Sequence, residues 1–456
     1  MAKKTRLIIF IFCIICFFII APLLVAYSMG YRIDKEAMKI VETGGIYVRT
    51  FPSADQIAIN FKTFLKPGIF SNAIFVQSLL PKEHTVFIQK NGYFDYFKTL
   101  EVNEKEVTKL ENVILIKKVL SFKNIKDEAD FFSIAPNNQD VIISKINSKA
   151  INFSFFNLNS ISDSKDVSIP ITGKILEIKW NQSSDLALIK IQIPNNSIDY
   201  YLFESLEEPE ITRISSLDKN TEQIFFSPQN SKTLYYTKNN TLYSLVDNKP
   251  KIILEDVISY SFFGNNIIWL SSEGNLSESD IFGKLINLLN KEIIVLNKNK
   301  NYKIENILGK IYLKEGDSLL IFNQNTKIFE NFEGPNFDYE ILHSPDGKNL
   351  IYWNKNKIYV YSFSKEKYEE LFSGNSITNC QWLNNDYIIF SAEDNVIISE
   401  IDYRGNINSF ILPEIIETEN NDIIKIQNPQ MFFIQHSGKA YILTNNTLLE
   451  SEKILP

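Results

Sequence analysis

The chain has 456 residues, a formal net charge of -7 and three cysteines, with 45% hydrophobic and 13% aromatic residues. That length is too great for one small core and suits two or three domains. An acidic balance repels phosphate backbones, and no dense Lys/Arg stripe follows Arg6, so nucleic acid is excluded as an expected partner.

Lys3, Lys4 and Arg6 precede an uncharged run over residues 7–27. Roughly 20 helical residues, rising about 1.5 Å each, cross the roughly 30 Å hydrocarbon core of a bilayer. The run, with Leu7, Phe12, Phe17, Pro22 and Tyr27 along it, therefore predicts one transmembrane signal anchor within residues 1–30. The basic residues keep the N-terminus cytoplasmic and place everything beyond about Tyr31 outside the cell. A cleaved signal peptide begins in the same way. Against cleavage, the apolar run is long and its small-x-small candidate, Ala26-Tyr27-Ser28, is weak. Pro22 falls in the second half, where it can kink the helix. Cys13 and Cys16 have the spacing of a redox or metal pair but sit in the apolar run without further ligands, so they read as polarizable apolar residues. Cys380 stands alone in the rest of the chain, and no intradomain disulfide is expected.

Residues 31–43 are polar and weakly alternating, and read as a spacer or a short strand. A compact β unit is expected over residues 44–118. Ile46 and Val48 alternate, Pro52-Ser53-Ala54-Asp55 breaks the run, and residues 57–61 resume it. After a loop through Pro67-Gly68, strands are expected over residues 73–79, 84–89, 93–102 and 107–116. Asn91-Gly92 is a strong hairpin signal, since both central residues of a type I′ turn need positive φ.

These residues carry a resemblance. The strand into the Pro52-Ser53-Ala54 turn, followed by Pro81, His84, Val86, Ile88, Lys90, Gly92 and Tyr93 in register, resembles a PEGA domain over residues 44–117. The Glu-Gly of that family's turn is replaced by Ser53 alone, and the glycine after the second proline is Lys82. The resemblance implies a small β-sandwich-like module, common on prokaryotic surface and membrane-anchored proteins, without catalytic residues.

Residues 119–456 repeat a plan that is clearest over residues 339–363. An alternating run reaches Ser344-Pro345, Asp346-Gly347 turns the chain, and two β-rich runs follow. Equivalent turns fall at Ala135-Pro136, Trp180-Asn181, Ser227-Pro228, Phe263-Gly264, Leu308-Gly309, Trp382-Leu383 and Asn428-Pro429. The spacing, roughly 36 to 47 residues, is the length of a four-stranded propeller blade. The fold class is thus all-β, ending in a seven- or eight-bladed β-propeller whose weakest copy lies over residues 304–324. A lone four-stranded sheet has two apolar faces and two open edges, so the ring must close, and a strand near residues 117–123 is expected to complete the last blade. Ser344-Pro345-Asp346-Gly347-Lys348 resembles the repeats of TolB-like and WD40-like propellers, which implies a scaffold used mostly for binding.

No motif carries chemistry. His84, His343 and His436 fall in separate strand-like contexts without metal-ligand spacing. Gly316-Asp317-Ser318 and Gly374-Asn375-Ser376 lack the second glycine of a nucleophile elbow. Trp180 and Trp382 end first strands, whereas Trp269 and Trp353 lie in second strands, and such repeated positions read as packing between blades rather than as a glycan platform. No catalytic, cofactor or metal residue is expected. The sequence reads as a single-pass extracytoplasmic binding or scaffolding protein of the cell envelope, with the membrane and a protein or envelope polysaccharide as partners. The alternative is a hydrolase or lyase acting on a cell-surface glycan or peptide in the central funnel. Three or more acidic, basic or histidine side chains converging at one axial mouth would favour it.

Overall fold

The computed structural model describes residues 3–67, 72–205, 208–307, 309–316, 318–331, 340–419 and 422–455. Gly68, Leu308, Asp317 and Tyr339, which belong to stretches singled out above, lie outside the described residues. Lys3–Ser28 is one helix, and within Leu7–Ser28 its most apolar 18 residues have a mean hydropathy of 3.3 and are not buried by the rest of the chain. Leu7, Phe12, Phe17, Pro22 and Tyr27 are all exposed on it. A helix apolar on every side is stable where its surroundings are apolar too. Gly30, at φ +93°, ends it, with its N–H donated to the Tyr27 carbonyl at 3.2 Å.

The stretch read as a spacer or a short strand is a hairpin of two strands. Tyr31–Asp34 pairs antiparallel with Lys39–Glu42, and Asp34 Oδ1 closes the turn by accepting the Glu36 and Ala37 N–H groups. The alternation looked weak because the apolar residues are split between a face buried at Val41 and a face left open at Ile33 and Ile40.

Two sheets follow. Gly44–Phe51 lies between Ala73–Leu79, antiparallel, and Val107–Ile114, parallel. Gln56–Ile59 and Glu83–Gln89 form the centre of a four-stranded sheet edged by Thr63–Leu65 and Tyr96–Glu101. Ile46, Val48, Ile57, Val86, Ile88 and Leu110 join both sheets in one core. The strand expected over residues 93–102 begins only at Tyr96, because Tyr93 N–H turns back to Lys90 O and Phe94 N–H bonds Ile116 O.

Eight four-stranded sheets follow among the described residues: sheet 1 over residues 131–169, sheet 2 over 174–213, sheet 3 over 222–255, sheet 4 over 259–288, sheet 5 over 302–331, sheet 6 over 340–373, sheet 7 over 377–411 and sheet 8 over 430–451, with a two-stranded pair, Ile415–Glu417 and Ile423–Lys425, between sheets 7 and 8. Sheets 1 to 7 each use four consecutive strands. Sheet 8 has three, and its fourth is Phe122–Asp127, paired antiparallel with Thr447–Ser451 from Phe122↔Ser451 to Asp127↔Thr447. The closing strand thus lies a few residues beyond the expected 117–123, since Lys117 instead bridges Tyr93 of the preceding unit. Buried clusters join each sheet to the next: Phe153 with Ile189, Leu188 with Leu234, Tyr235 with Ile267, Leu270 with Leu313, Tyr312 with Leu350, Ile351 with Phe390, and Ile389 with Ile442. Ile143 and Leu448 then join sheet 1 to sheet 8. This cyclic order of sheets is the arrangement of a β-propeller.

One turn was placed wrongly. Asn428-Pro429 precedes the first strand of sheet 8, Gln430–Ile434, and the turn after that strand is residues 435–438 with Gly438 at φ +69°. Proline, lacking an N–H, suits the position just ahead of a strand as well as a turn. The weak copy over residues 304–324 is a complete sheet, running from Tyr302–Ile307 to Ile328–Asn331.

Polar side chains link neighbouring first strands. Trp180 Nε1 donates to Ser133 Oγ at 3.0 Å, and Trp382 Nε1 donates to Leu342 O at 3.2 Å, so the two repeated tryptophans do equivalent work. Gln430 reaches Phe132 O at 3.1 Å, Asn379 reaches Met431 O at 2.6 Å, and Asn306 reaches Phe262 O at 2.8 Å. First strands tied side by side in this way surround the axis.

The N-terminal unit is docked on sheet 7 through a buried ion pair. Along Tyr96–Glu101 the residues Tyr96, Lys98 and Leu100 share the buried face, and Lys98 is wholly enclosed. Its Nζ donates to Glu400 Oε1 at 2.6 Å, to Asn406 O at 2.8 Å and to Asp402 O. Tyr96 Oη donates to Glu400 Oε2 at 2.6 Å, and Asn408 donates twice to Glu400 Oε1, at 2.8 Å each. Gly405, at φ +64°, lets the 402–408 loop come so near that a Cβ there would stand 2.1 Å from Thr99 O. Lys98→Ala would leave the Glu400 charge enclosed and unpaired, at a cost of about 3–5 kcal/mol. Lys98→Met combined with Glu400→Gln removes both charges while leaving a side-chain oxygen to accept from Asn408, and is expected to recover part of that loss. Thermal unfolding of the full chain in detergent checks both outcomes.

Candidate functional site

The connections from the fourth strand of one sheet to the first strand of the next lie at one end of the ring. There, a cavity of about 610 Å³ is lined by residues of sheets 2, 3 and 5 and the loops before them. Glu177 and Lys179 come from the first strand of sheet 2, Lys190 from its second strand, and Lys219 from the loop that follows the sheet. Glu222 and Gln223 open sheet 3, and Lys300, Tyr302 and Lys303 lead into sheet 5. Five lysines and two glutamates line the cavity, and with Glu315 and Glu305 beside Lys300 and Lys303 a small positive excess remains.

The amines are steered by neighbours. Lys179 lies 3.4 Å from Glu177, Lys300 lies 3.6 Å from Glu315, and Lys303 lies 2.8 Å from Glu305. Lys190 faces the Tyr200 ring at 5.9 Å, and Lys179 faces Phe225 at 5.6 Å. Half-exposed ion pairs of this kind open readily to a competing anion, because each holds little net free energy in water. The arrangement can gather negative charge by hydrogen bonding and long-range attraction. Among the described residues, no group of three or more His, Cys, Asp and Glu side chains is placed to hold a metal ion.

A second cavity, of about 320 Å³, lies where the N-terminal unit meets sheets 6 and 7. It contains two carboxyls driven apart in acidity. Burial pushes Asp386 up, assisted by the nearby charges of Asp346 and Asp402. Burial acts on Asp402 in the same direction but is outweighed by the Arg404 guanidinium and the Lys98 ammonium, so its carboxyl is held below the usual range. Arg404 grips Asp402 with contacts of 2.7 to 3.2 Å and also donates to Lys109 O at 3.0 Å. Asp402 is thereby committed to the joint between the two parts.

The family-motif positions are built into turns. His84 is buried, with Nδ1 at 2.8 Å from Asn60 Nδ2 and Nε2 at 2.8 Å from Leu80 O, so it clamps the Leu80-Pro81 turn to the Asn60 turn. Lys90 Nζ donates to Ser53 O at 2.9 Å between Pro52 and Ala54, and lies 5.6 Å from the Tyr93 ring. Ala54 is buried, its N–H donated to Thr50 Oγ1, and Gly92 takes φ +81°. In sheet 6, Ser344 Oγ donates to Asp346 Oδ1 at 2.7 Å and accepts Asn349 N–H, while Asp346 accepts Lys348 N–H and Gly347 takes φ +69°. Pro345 lies between them in the same turn. These residues form two separate structural knots, and neither lines the lysine-bearing cavity.

Neither the mouth lysines nor the Lys98 pair was singled out from sequence. Lys98 did leave a signal, since it occupies an inward position of the alternating run Tyr96–Glu101. The mouth lysines come from loops and strands of three repeats, and nothing local marks them as neighbours.

No protein-family model matches the chain, and no curated protein matches it either. Solved structures similar to it include Hsv2 from Kluyveromyces lactis, at 11% identity and a TM-score of 0.40, with 66% of this chain and 100% of that chain covered. Sqt1 from Saccharomyces cerevisiae is similar at 9% identity and a TM-score of 0.48, with 75% of this chain and 100% of that one covered. Sqt1 from Chaetomium thermophilum gives 10% identity and a TM-score of 0.45, with coverages of 74% and 98%. The propeller assignment rests on the strand order and cyclic packing described above.

One group makes the ring sensitive to acid. His343, at the junction of sheets 5 and 6, has Nε2 at 3.0 Å from Tyr312 Oη and lies 5.7 Å from the Phe363 ring, over which Lys310 Nζ sits at 3.5 Å. Burial, with the nearby Lys310 charge, pushes the imidazole down from 6.5 to about 4. The unfolded chain therefore takes up this proton first, and stability falls as pH drops from 6.5 towards 4. The expected loss is about 1–2 kcal/mol, allowing for partial solvent contact. His343→Leu should flatten the decline between pH 6.5 and 4.5 in thermal unfolding followed by circular dichroism.

Proposed function

We propose that the chain is a membrane-anchored binding or scaffolding protein, with its N-terminus cytoplasmic and its bulk on the extracytoplasmic side. Residues 1–30 would be the anchor, 31–43 the hairpin beneath a PEGA-like module over residues 44–118, and 119–456 an eight-bladed propeller. The observation that carries the binding role is the lysine-lined mouth, where lysines from different repeats surround one cavity. A concave surface of this charge suits an acidic protein segment or an acidic envelope polysaccharide, whose shared chemistry is closely spaced carboxylates.

Two measurements test the proposal. Protease applied to intact cells should digest the chain down to its anchor, and full protection of the propeller would reverse the proposed orientation. The full chain in detergent should bind fluorescent poly-glutamate in a salt-sensitive way. Binding should weaken roughly tenfold in K179Q/K190Q/K303Q. Unchanged binding in that variant would move the contact away from the mouth.

The convergence of charged groups from three sheets at one mouth also favours a second reading, a hydrolase or lyase acting on a surface glycan or peptide. In its present pairing the mouth offers amines tied to glutamates, which attract a substrate more readily than they exchange protons with it. Release of reducing ends or of new peptide amines from envelope fractions, lost in the same variant, would bring the enzyme reading forward.

A further inference from the structure

The geometry points to the hairpin over residues 31–42 as a second membrane contact, a foot that rests in the headgroup zone of the bilayer beside the anchor. The inference builds on the anchor reading and adds a lipid-contact surface to it. Ile33 and Ile40 are directly opposed across the hairpin and are 69% and 71% exposed, while Met38 at its turn is 85% exposed. A β-branched pair normally seeks cover. The opposite face already has cover: Val41 and Asp34 are buried, and Arg32 Nη2 donates to Ser78 Oγ of the next unit at 3.3 Å. Lys82 holds Glu36 at 2.8 Å and so pins the turn.

The occupant follows from where the open face lies. Gly30 alone separates the end of the apolar helix and Met29 from the hairpin, and the joint is stiff. Thr43 N–H and Oγ1 both donate to Gly30 O, at 3.0 and 2.8 Å. Arg32 lies 3.5 Å over the Tyr27 ring and donates to Tyr27 O at 2.8 Å. If the helix spans a bilayer, the hairpin cannot be far from its surface. Its residue types also match that zone. Tyr27 and Tyr31 have the amphipathic rings found at membrane interfaces, and exposed Lys35 and Lys39 flank the apolar residues with amines suited to lipid phosphates.

The test uses the full chain in liposomes, with single tryptophans introduced as I33W, M38W and L24W and the native tryptophan signal subtracted. Lipids brominated near the headgroup should quench I33W and M38W at least twofold, and deeply brominated lipids should quench L24W. Quenching of L24W alone would overturn the foot while leaving the anchor in place. No quenching at any of the three positions would overturn both. A measurement without substitution accompanies it: trypsin should cut after Lys35 and Lys39 at least tenfold more slowly in anionic liposomes than in detergent. Equal rates would count against the foot.

Discussion

No sheet of the ring can stand alone, and this constraint governs most of the chain. Each buries one face on the sheet before it and the other on the sheet after it, so an open row would leave two apolar surfaces in water. The strand Phe122–Asp127 removes that problem by joining the start of the ring to Thr447–Ser451 at its end. Its Phe122 is buried in the core shared with the N-terminal unit, and Ile125 belongs to the cluster shared with sheet 1. The polar bridges between first strands add direction to this packing, since Trp180 and Trp382 each fix one first strand against the preceding one.

The Lys98–Glu400 pair has a different role. Enclosing two charges brings little net stability even when every hydrogen bond is made. What such a pair supplies is an address: Glu400 meets the ammonium with a carboxylate and the 402–408 loop meets it with two carbonyls. The N-terminal unit therefore has one defined seat on the propeller, and any surface the ring displays has a fixed relation to the helix.

Much of the architecture was legible because it is repetitive. Ser344-Pro345-Asp346-Gly347 shows its turn openly, and degenerate copies could be recognised by spacing once that copy was known. The reading failed where local signals were ambiguous. Asn428-Pro429 suits a turn and a strand entry equally, and the hairpin over residues 31–42 is too short for its alternation to stand out. Functional geometry was least legible. Lys179 and Lys190 lie on adjacent strands of sheet 2, but Lys303 of sheet 5 joins them only when separate repeats are wrapped around an axis, and periodicity within a repeat says nothing of that.

The chain path has a mechanical consequence. Under the proposed anchoring, tension between a bilayer and a partner bound by the ring would enter through residues 28–31 and cross the N-terminal unit before it reached Phe122–Asp127, the clasp of the circle. The seat at Lys98, with Lys117 held to Glu452 at 2.5 Å, offers the force a parallel route into sheets 7 and 8. A tether built in this way would share its load between the clasp and the seat.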